Sequence, residues 1–195
     1  MSVDPLADKY PGISPYAYCA WNPIKYVDPD GRKIVVQGRN IIEKFAAKLG
    51  FSIGYVKKVE NDLAQLKLDN KEVGGMITAL EESDNTHVIQ FPKRTWNKCG
   101  AVGEKNGSAG RGSIVDYDPD NTKTVNGDTR TPRASLAHEL THSMDFDTGN
   151  ETNQEIDGVR VMEFKAIDME NKVRNVTGDK KRTTYGGKDV SKYIE

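Results

Sequence analysis

The chain of 195 residues has only two cysteines, no long apolar run and almost no net charge. Cys19 and Cys99 are too few for a disulfide framework and too far apart for a Cys-x-x-Cys site. No stretch approaches the roughly 18 apolar residues that a membrane-spanning helix needs. The formal charge of −1, from 28 basic and 29 acidic residues, gives no electrostatic reason to expect a nucleic-acid or membrane partner.

Residues 1–32 are rich in proline and aromatic side chains. Five of the eight prolines of the chain lie in this segment. Each proline removes a backbone donor and fixes φ, so the segment predicts extended pieces and turns instead of a long helix. The aromatic residues between the prolines are Tyr10, Tyr16, Tyr18, Trp21 and Tyr26.

The order of these residues resembles a known segment. Its elements are Asp4-Pro5-Leu6-Ala7, Tyr10-Pro11, Ser14-Pro15-Tyr16, Tyr18, Asn22-Pro23 and Asp28-Pro29-Asp30-Gly31-Arg32. They resemble the end of the RHS-repeat-associated core of large bacterial shell-forming proteins. The resemblance implies that residues 1–32 end such a core, that residues 33–195 form a variable toxin or effector domain, and that self-cleavage occurs near 28–33. The alternative is a proline-rich arm that packs on its own domain.

The remaining pattern predicts an α+β domain. Short apolar or alternating runs predict strands at 33–37, 87–91 and 112–117. Helices are expected at 41–49, 56–68 and 73–80, then from about 131 to 148 and from about 153 to 176. Five glycines between 99 and 112 predict a loop.

The fourth predicted helix carries His138-Glu139-Leu140-Thr141-His142, an HExxH motif. Thr131 is a good N-cap, and Pro132 suits the first helical position. The two histidines then lie one turn apart on one face, as two ligands of one small ion require. Neutral imidazoles bind Zn²⁺, and Glu139 beside the metal can take a proton from a zinc-bound water. The motif predicts a zinc metallopeptidase; the alternative is a surface helix with two histidines by chance.

A carboxylate is expected as third ligand. A catalytic zinc usually has three protein ligands and one open position. The residues after His142 lack the glycine and third histidine that would continue the motif as in metzincins, so a gluzincin-like arrangement is expected. Glu163 is the predicted ligand, 21 residues after His142. Glu170 is the rival: it can bind metal, hold a partner of the ligand, or form a surface pair with Arg174.

Two other candidates are given structural roles. Glu155 follows Thr152 in a T-x-x-E pattern, which predicts a capping box at the start of the fifth helix and no metal role. His87 opens a predicted strand and is expected to serve the structure only.

Arg182 and Tyr185, three residues apart, allow two interpretations. They can form a basic surface turn, or they can stabilise a tetrahedral oxyanion, which needs donors aimed at the developing charge. The residues alone leave both open.

A second resemblance covers roughly residues 112–187. Its elements are His138-Glu139-x-x-His142, Glu163-x-x-Ala166, Glu170-Asn171, Arg174 and Arg182-x-x-Tyr185-Gly186. Together they resemble effector-type zinc metallopeptidases of the NleD kind, and more distantly clostridial neurotoxin light chains. The resemblance implies Glu163 as third zinc ligand, Glu170 as the carboxylate that orients Arg182, and Arg182 and Tyr185 at the oxyanion. Ala166 stands where some relatives have Thr, and the gap from His142 to Glu163 is shorter than in the neurotoxins.

The expected protein is therefore a zincin-like α+β metallopeptidase with a small sheet, preceded by an irregular Pro/Tyr-rich arm. It would act on a protein or peptide substrate as a secreted or delivered effector. The RHS shell would be its carrier and an immunity protein a further partner. No signal peptide is visible in this fragment. The alternative is a non-catalytic zinc-binding or structural tail; a nuclease toxin is disfavoured because no basic patch is present.

Overall fold

A computed structural model describes residues 34–93, 97–103, 110–124 and 129–194. The expected end of an RHS-type core and its processing boundary, in residues 1–33, lie outside the described residues. Within them the chain combines helices with short strands, so the predicted α+β class is confirmed.

Helices make up most of the regular structure. The described residues contain α1 (Ile41–Lys48), α2 (Gly54–Asp69), α3 (Lys71–Glu82), α4 (Pro132–Asp147) and α5 (Val161–Thr177). The first four agree with the predicted ranges to within a few residues. Helix α4 begins at Pro132 as expected, although the Thr131 side chain makes no capping hydrogen bond.

A small mixed sheet lies against the helices. Its strands are β1 (Ile34–Val36), β2 (His87–Gln90), β3 (Lys98–Val102) and β4 (Gly112–Asp116). The spatial order is β1-β2-β4-β3, with β1, β2 and β4 parallel and β3 antiparallel to β4. The core between this sheet and helices α2, α3 and α4 includes Leu66, Ile77, Ile89, Val115 and Leu140.

The loop predicted between 99 and 112 is wrong over its first part. Lys98–Val102 forms β3, which pairs with β4 through Cys99 opposite Val115 and Gly100 opposite Ile114. Because β3 is an edge strand of the sheet, Gly100 can sit in it without a side chain to pack, and a Cβ there would meet nothing within 4 Å. Residues 104–109 lie outside the described part.

The helix predicted from about 153 begins only at Val161. The chain first forms a hairpin of β5 (Glu155–Ile156) and β6 (Val159–Arg160). Its turn residues Asp157 and Gly158 both have positive φ, at 51° and 70°. This is the backbone that a two-residue type I′ hairpin needs, and Asp-Gly is a preferred pair for it. The capping box predicted at Glu155 is therefore wrong, and this glutamate is exposed on β5.

A second hairpin, β7 (Thr184–Tyr185) and β8 (Lys188–Asp189), follows α5. A smaller apolar cluster of Val159, Phe164, Ile167 and Val190 packs around α5 and holds both hairpins to it. Lys188 Nζ also donates to the carbonyl oxygens of Asp157 and Gly158. The segments on either side of α5 are thereby linked. No helix in the described ranges is long and apolar enough to span a membrane.

Candidate metal centre

Helix α4 carries the two motif histidines into the interior. It packs on the sheet and on α5, so residues 134–143 are all buried. His138 and His142 follow each other by one turn, and their ring centroids are 5.0 Å apart. The motif therefore lies on a buried helix, in contrast to the surface helix of the alternative interpretation.

Glu163, in the first turn of α5, meets both imidazoles. Its Oε2 lies 3.3 Å from Nε2 of His138 and 3.3 Å from Nε2 of His142. This buried oxygen has no hydrogen-bond partner among the described residues. A buried polar atom without a partner is costly, so a bound cation would satisfy an atom that the chain leaves open. These three residues form a group that can hold a metal ion.

The second oxygen of Glu163 is fixed separately. Arg160, the last residue of β6, donates from Nη2 to Glu163 Oε1 over 2.7 Å. One carboxylate oxygen is thus held by a guanidinium while the other faces the histidines. The β5–β6 hairpin that sequence patterns missed therefore supplies the residue that orients the predicted ligand.

Carboxylates dominate the electrostatics around the imidazoles. Burial lowers the pKa of His138, but hydrogen bonds to Glu163 and Glu170 outweigh this and raise it to about 9. Burial raises the pKa of Glu139, and the two imidazoles only partly oppose that shift. The same negative surroundings that stabilise a protonated imidazole favour a cation between the ligands. Glu139, held near a higher pKa, is suited to exchange a proton.

Glu170 is the centre of a buried charge cluster two turns along α5. Its Oε2 lies 3.2 Å from His138 Nδ1 and accepts from Arg182 Nη1 at 2.7 Å. Its Oε1 accepts from Nε and Nη2 of Arg174. The pair with Arg174 is present, but both side chains are buried, so a surface pair is the wrong description. Glu170 does not join the group that can hold metal; it contacts one of its histidines and Arg182.

Asn171, the residue after Glu170, fastens the Arg182 segment to α5. Its Nδ2 donates to the carbonyl oxygen of Arg182 at 2.9 Å, and its Oδ1 accepts from the Arg182 amide at 2.7 Å. The Arg182 side chain then reaches Glu170, and its guanidinium carbon lies 5.2 Å from the centre of the Tyr185 ring. Burial, together with nearby Glu163, raises the pKa of Tyr185 to about 12. Arg182 and Tyr185 thus lie beside the candidate ligands and not on a remote surface turn.

Arg130 was not a candidate from the sequence. It precedes α4, and its Nη1 lies 3.8 Å from Glu170 Oε1, next to Arg174. Nothing local to residue 130 signals this position, because the contact joins segments 40 residues apart in the chain.

His87 belongs to a separate buried network. Its Nδ1 lies 2.9 Å from Ser113 Oγ and its Nε2 lies 3.2 Å from Asp147 Oδ1. Ser113 in turn bonds Ser143, which contacts Cys99 Sγ. The residues combine serine, histidine and aspartate, yet Ser113 and His87 are fully buried. The network joins α4 to strands β2, β3 and β4, in line with the structural role expected for His87.

The fold and the site together define a small α+β protein with a buried group of two histidines and one glutamate able to hold a metal ion. Residues 48–182 match the family Peptidase M91, which is described as "Effector protein". Because the match covers well over half of the chain, the protein belongs to this family of peptidases. No curated protein and no solved structure matches the chain.

Proposed function

We propose that the chain is a zinc-dependent endopeptidase that acts as a delivered bacterial effector. The observation that carries the proposal is the meeting of three ligand atoms, with Glu163 Oε2 3.3 Å from Nε2 of both His138 and His142. Ligand atoms that surround zinc tetrahedrally at about 2.0–2.1 Å lie about 3.3–3.4 Å from one another. Two imidazoles and one carboxylate also match a catalytic zinc site with a fourth position open.

In this proposal Glu139 is the general base. Zinc held by the three ligands would polarise the scissile carbonyl and lower the pKa of a water molecule at the open position. Glu139 takes the proton of that water as its oxygen bonds to the carbonyl carbon. The same side chain then delivers the proton to the amide nitrogen as the C–N bond breaks. Its raised pKa supports this role, because the carboxyl group has to accept the proton and release it again.

Arg182 and Tyr185 are proposed to stabilise the oxyanion. Negative charge develops on the carbonyl oxygen in the transition state and calls for fixed donors. Arg182 stays charged, and its position is set by Glu170 and by the Asn171 clamp on its backbone. The hydroxyl of Tyr185, with a pKa near 12, stays protonated at neutral pH and can donate. Glu170 has the further proposed role of holding His138 through Nδ1.

Delivery and partners follow from the family and from the N-terminal resemblance. The family description is that of an effector protein. Residues 1–32, which resemble the end of an RHS core, support an RHS shell as carrier. The substrate would be a protein or peptide, and an immunity protein would be the partner that protects the producing cell. The balanced net charge of −1 offers no support for a nucleic-acid substrate.

The test combines metal content with one substitution. Purified protein should contain or take up one zinc ion per chain, measured by mass spectrometry of the metal. Glu139→Gln should keep the zinc and lose cleavage by about 10²–10⁴-fold, the usual contribution of a general base. New peptide termini in a proteome-derived library, identified by mass spectrometry, report cleavage without a known substrate. Glu155→Gln, on the exposed β5, is the matched control and should leave both unchanged.

Two results would contradict the proposal. Protein that neither contains nor takes up stoichiometric zinc would exclude the metal role. A Glu139→Gln variant as fast as wild type would exclude the general base. Zinc held by four protein ligands, seen by X-ray absorption, would instead favour a non-catalytic module, because no position would remain for water.

A further inference from the structure

Helix α1 is turned with its apolar side outward. Ile41, Ile42 and Phe45 are 83%, 68% and 65% exposed, whereas Glu43 in the same helix is 8% exposed. Leu49 and Phe51, just past the end of the helix, continue the exposed surface at 58% and 63%. We call these five side chains the α1 apolar face. An exposed apolar patch bordered by polar residues marks a surface that binds a partner.

The buried glutamate fixes this orientation. Glu43 Oε2 accepts from the Arg39 amide at 2.7 Å, and Oε1 accepts from the Tyr55 amide at 3.1 Å in the first turn of α2. Rotating α1 to bury its apolar side would remove both bonds from a carboxylate and expose the start of α2. The apolar side therefore faces outward as a consequence of the fold.

The position of α1 in the chain indicates which segment covers this face. The match to the peptidase family begins at residue 48, where α1 ends, so the α1 apolar face precedes the family's common region. The chain immediately before it is residues 1–33, which join β1 at Ile34 and lie only seven residues from the start of α1. The face thus lies at the junction of the N-terminal segment and the peptidase.

The composition of residues 1–33 suits such a surface. Their five prolines prevent a helix and limit strand pairing, so the tyrosines and the tryptophan between them need another surface to bury them. Extended proline-containing segments bind to apolar and aromatic grooves because they lose little entropy on docking. At about 3.3 Å per residue the segment is far longer than the roughly 12 Å of an eight-residue helix, so it can fold back over α1.

We propose that residues 1–33 dock on the α1 apolar face and strap the N-terminal segment to the peptidase domain. A second copy of the chain is the weaker occupant, since five side chains fall short of the roughly 20–30 residues per partner in a standard interface. A cut within 28–33 would then leave the arm bound to the domain. The inference does not depend on the proposed zinc chemistry, and its test involves no cleavage assay.

Trp21 reports on the arm. The chain has two tryptophans, so Trp96→Phe in the full-length protein leaves Trp21 as the remaining one. In this background Trp21 should emit at a blue-shifted wavelength and be poorly quenched by iodide. Ile42→Gln combined with Phe45→Gln should shift the emission to the red and raise the quenching constant at least about twofold, since contact with apolar surface shields a tryptophan from solvent. Leu68→Gln, an equally exposed apolar residue on α2, is the control and should change neither.

Cys19 gives a second, independent readout. Its alkylation rate, followed by peptide mass spectrometry, should rise in the double variant and stay unchanged in the Leu68→Gln control. Unchanged Trp21 emission, quenching and Cys19 rate in a folded double variant would overturn the proposal. A loss of dimerisation in sedimentation velocity without any change at Trp21 would also overturn it, in favour of a second copy. If the double variant loses its thermal transition, the single change Ile41→Gln should still move both readouts in the same direction.

Discussion

Asn171 offers the sharpest test of how the site is held together. Replacing it by alanine removes both hydrogen bonds that fix the backbone of Arg182 to α5. A hydrogen bond contributes about 0.5–1.5 kcal/mol net, so the two together are worth about 1–3 kcal/mol. If that free energy serves to place the Arg182 side chain in the transition state, kcat/KM should fall by about 5- to 150-fold, at 1.36 kcal/mol per tenfold.

A double-mutant cycle separates positioning from general destabilisation. Asn171→Ala and Arg182→Ala are measured singly and together, with kcat/KM on one cleaved peptide as the readout. Because Asn171 acts through Arg182, the double variant should be no slower than Arg182→Ala alone. Zinc content should stay at the wild-type value in all three. Asn175→Ala, one turn further along α5 and exposed, is the matched control.

Additive losses in this cycle would refute the reasoning. They would mean that Asn171 contributes by a route that does not pass through Arg182. A parallel loss of zinc would point in the same direction, since Asn171 contacts the Arg182 backbone and none of the candidate ligands.

Two further predictions concern the buried glutamates. Glu163→Gln should weaken zinc binding most, and Glu170→Gln should weaken it by about 10–100-fold, because His138 Nδ1 loses its carboxylate partner; competition with a chromophoric chelator measures both. Equal affinity of wild type and Glu163→Gln would contradict the ligand assignment. Glu43→Gln should lower stability by about 1 kcal/mol, or about 2–4 °C in the thermal midpoint, through its weakened bonds to two amides. Exposed Glu60→Gln serves as control; an equal effect of both would show that the buried carboxylate does not anchor α1.

Sequence patterns were informative where the cause is local. Helices α2 and α4 follow from apolar spacing and from Pro132 at a first helical position, and the HExxH motif fixes two histidines on one face without tertiary information. Glu163 could be named because a buried zinc helix needs a nearby carboxylate. The structure brings it to both imidazoles, which agrees with that reasoning.

Patterns failed where distant segments decide the outcome. The surroundings of Glu170 combine Arg130, Arg174 and Arg182 from three segments, so its burial was not readable and its pair with Arg174 looked like a surface contact. The Asp157-Gly158 hairpin was a local signal, but the T-x-x-E pattern beside it was given more weight. Glu43 shows the same limit, because periodicity places apolar residues on one side of α1 and does not say which way that side faces.

The arrangement of the site along the chain has an evolutionary consequence. Every side chain of the candidate centre, from Arg130 to Tyr185, lies in one stretch of 56 residues made of α4, α5 and the two hairpins that α5 connects. A single recombination event upstream of residue 130 could therefore replace the sheet and the first three helices without separating a ligand from its supporting charges. The chemistry would be inherited as one block, and new targets could be acquired by exchanging what surrounds it.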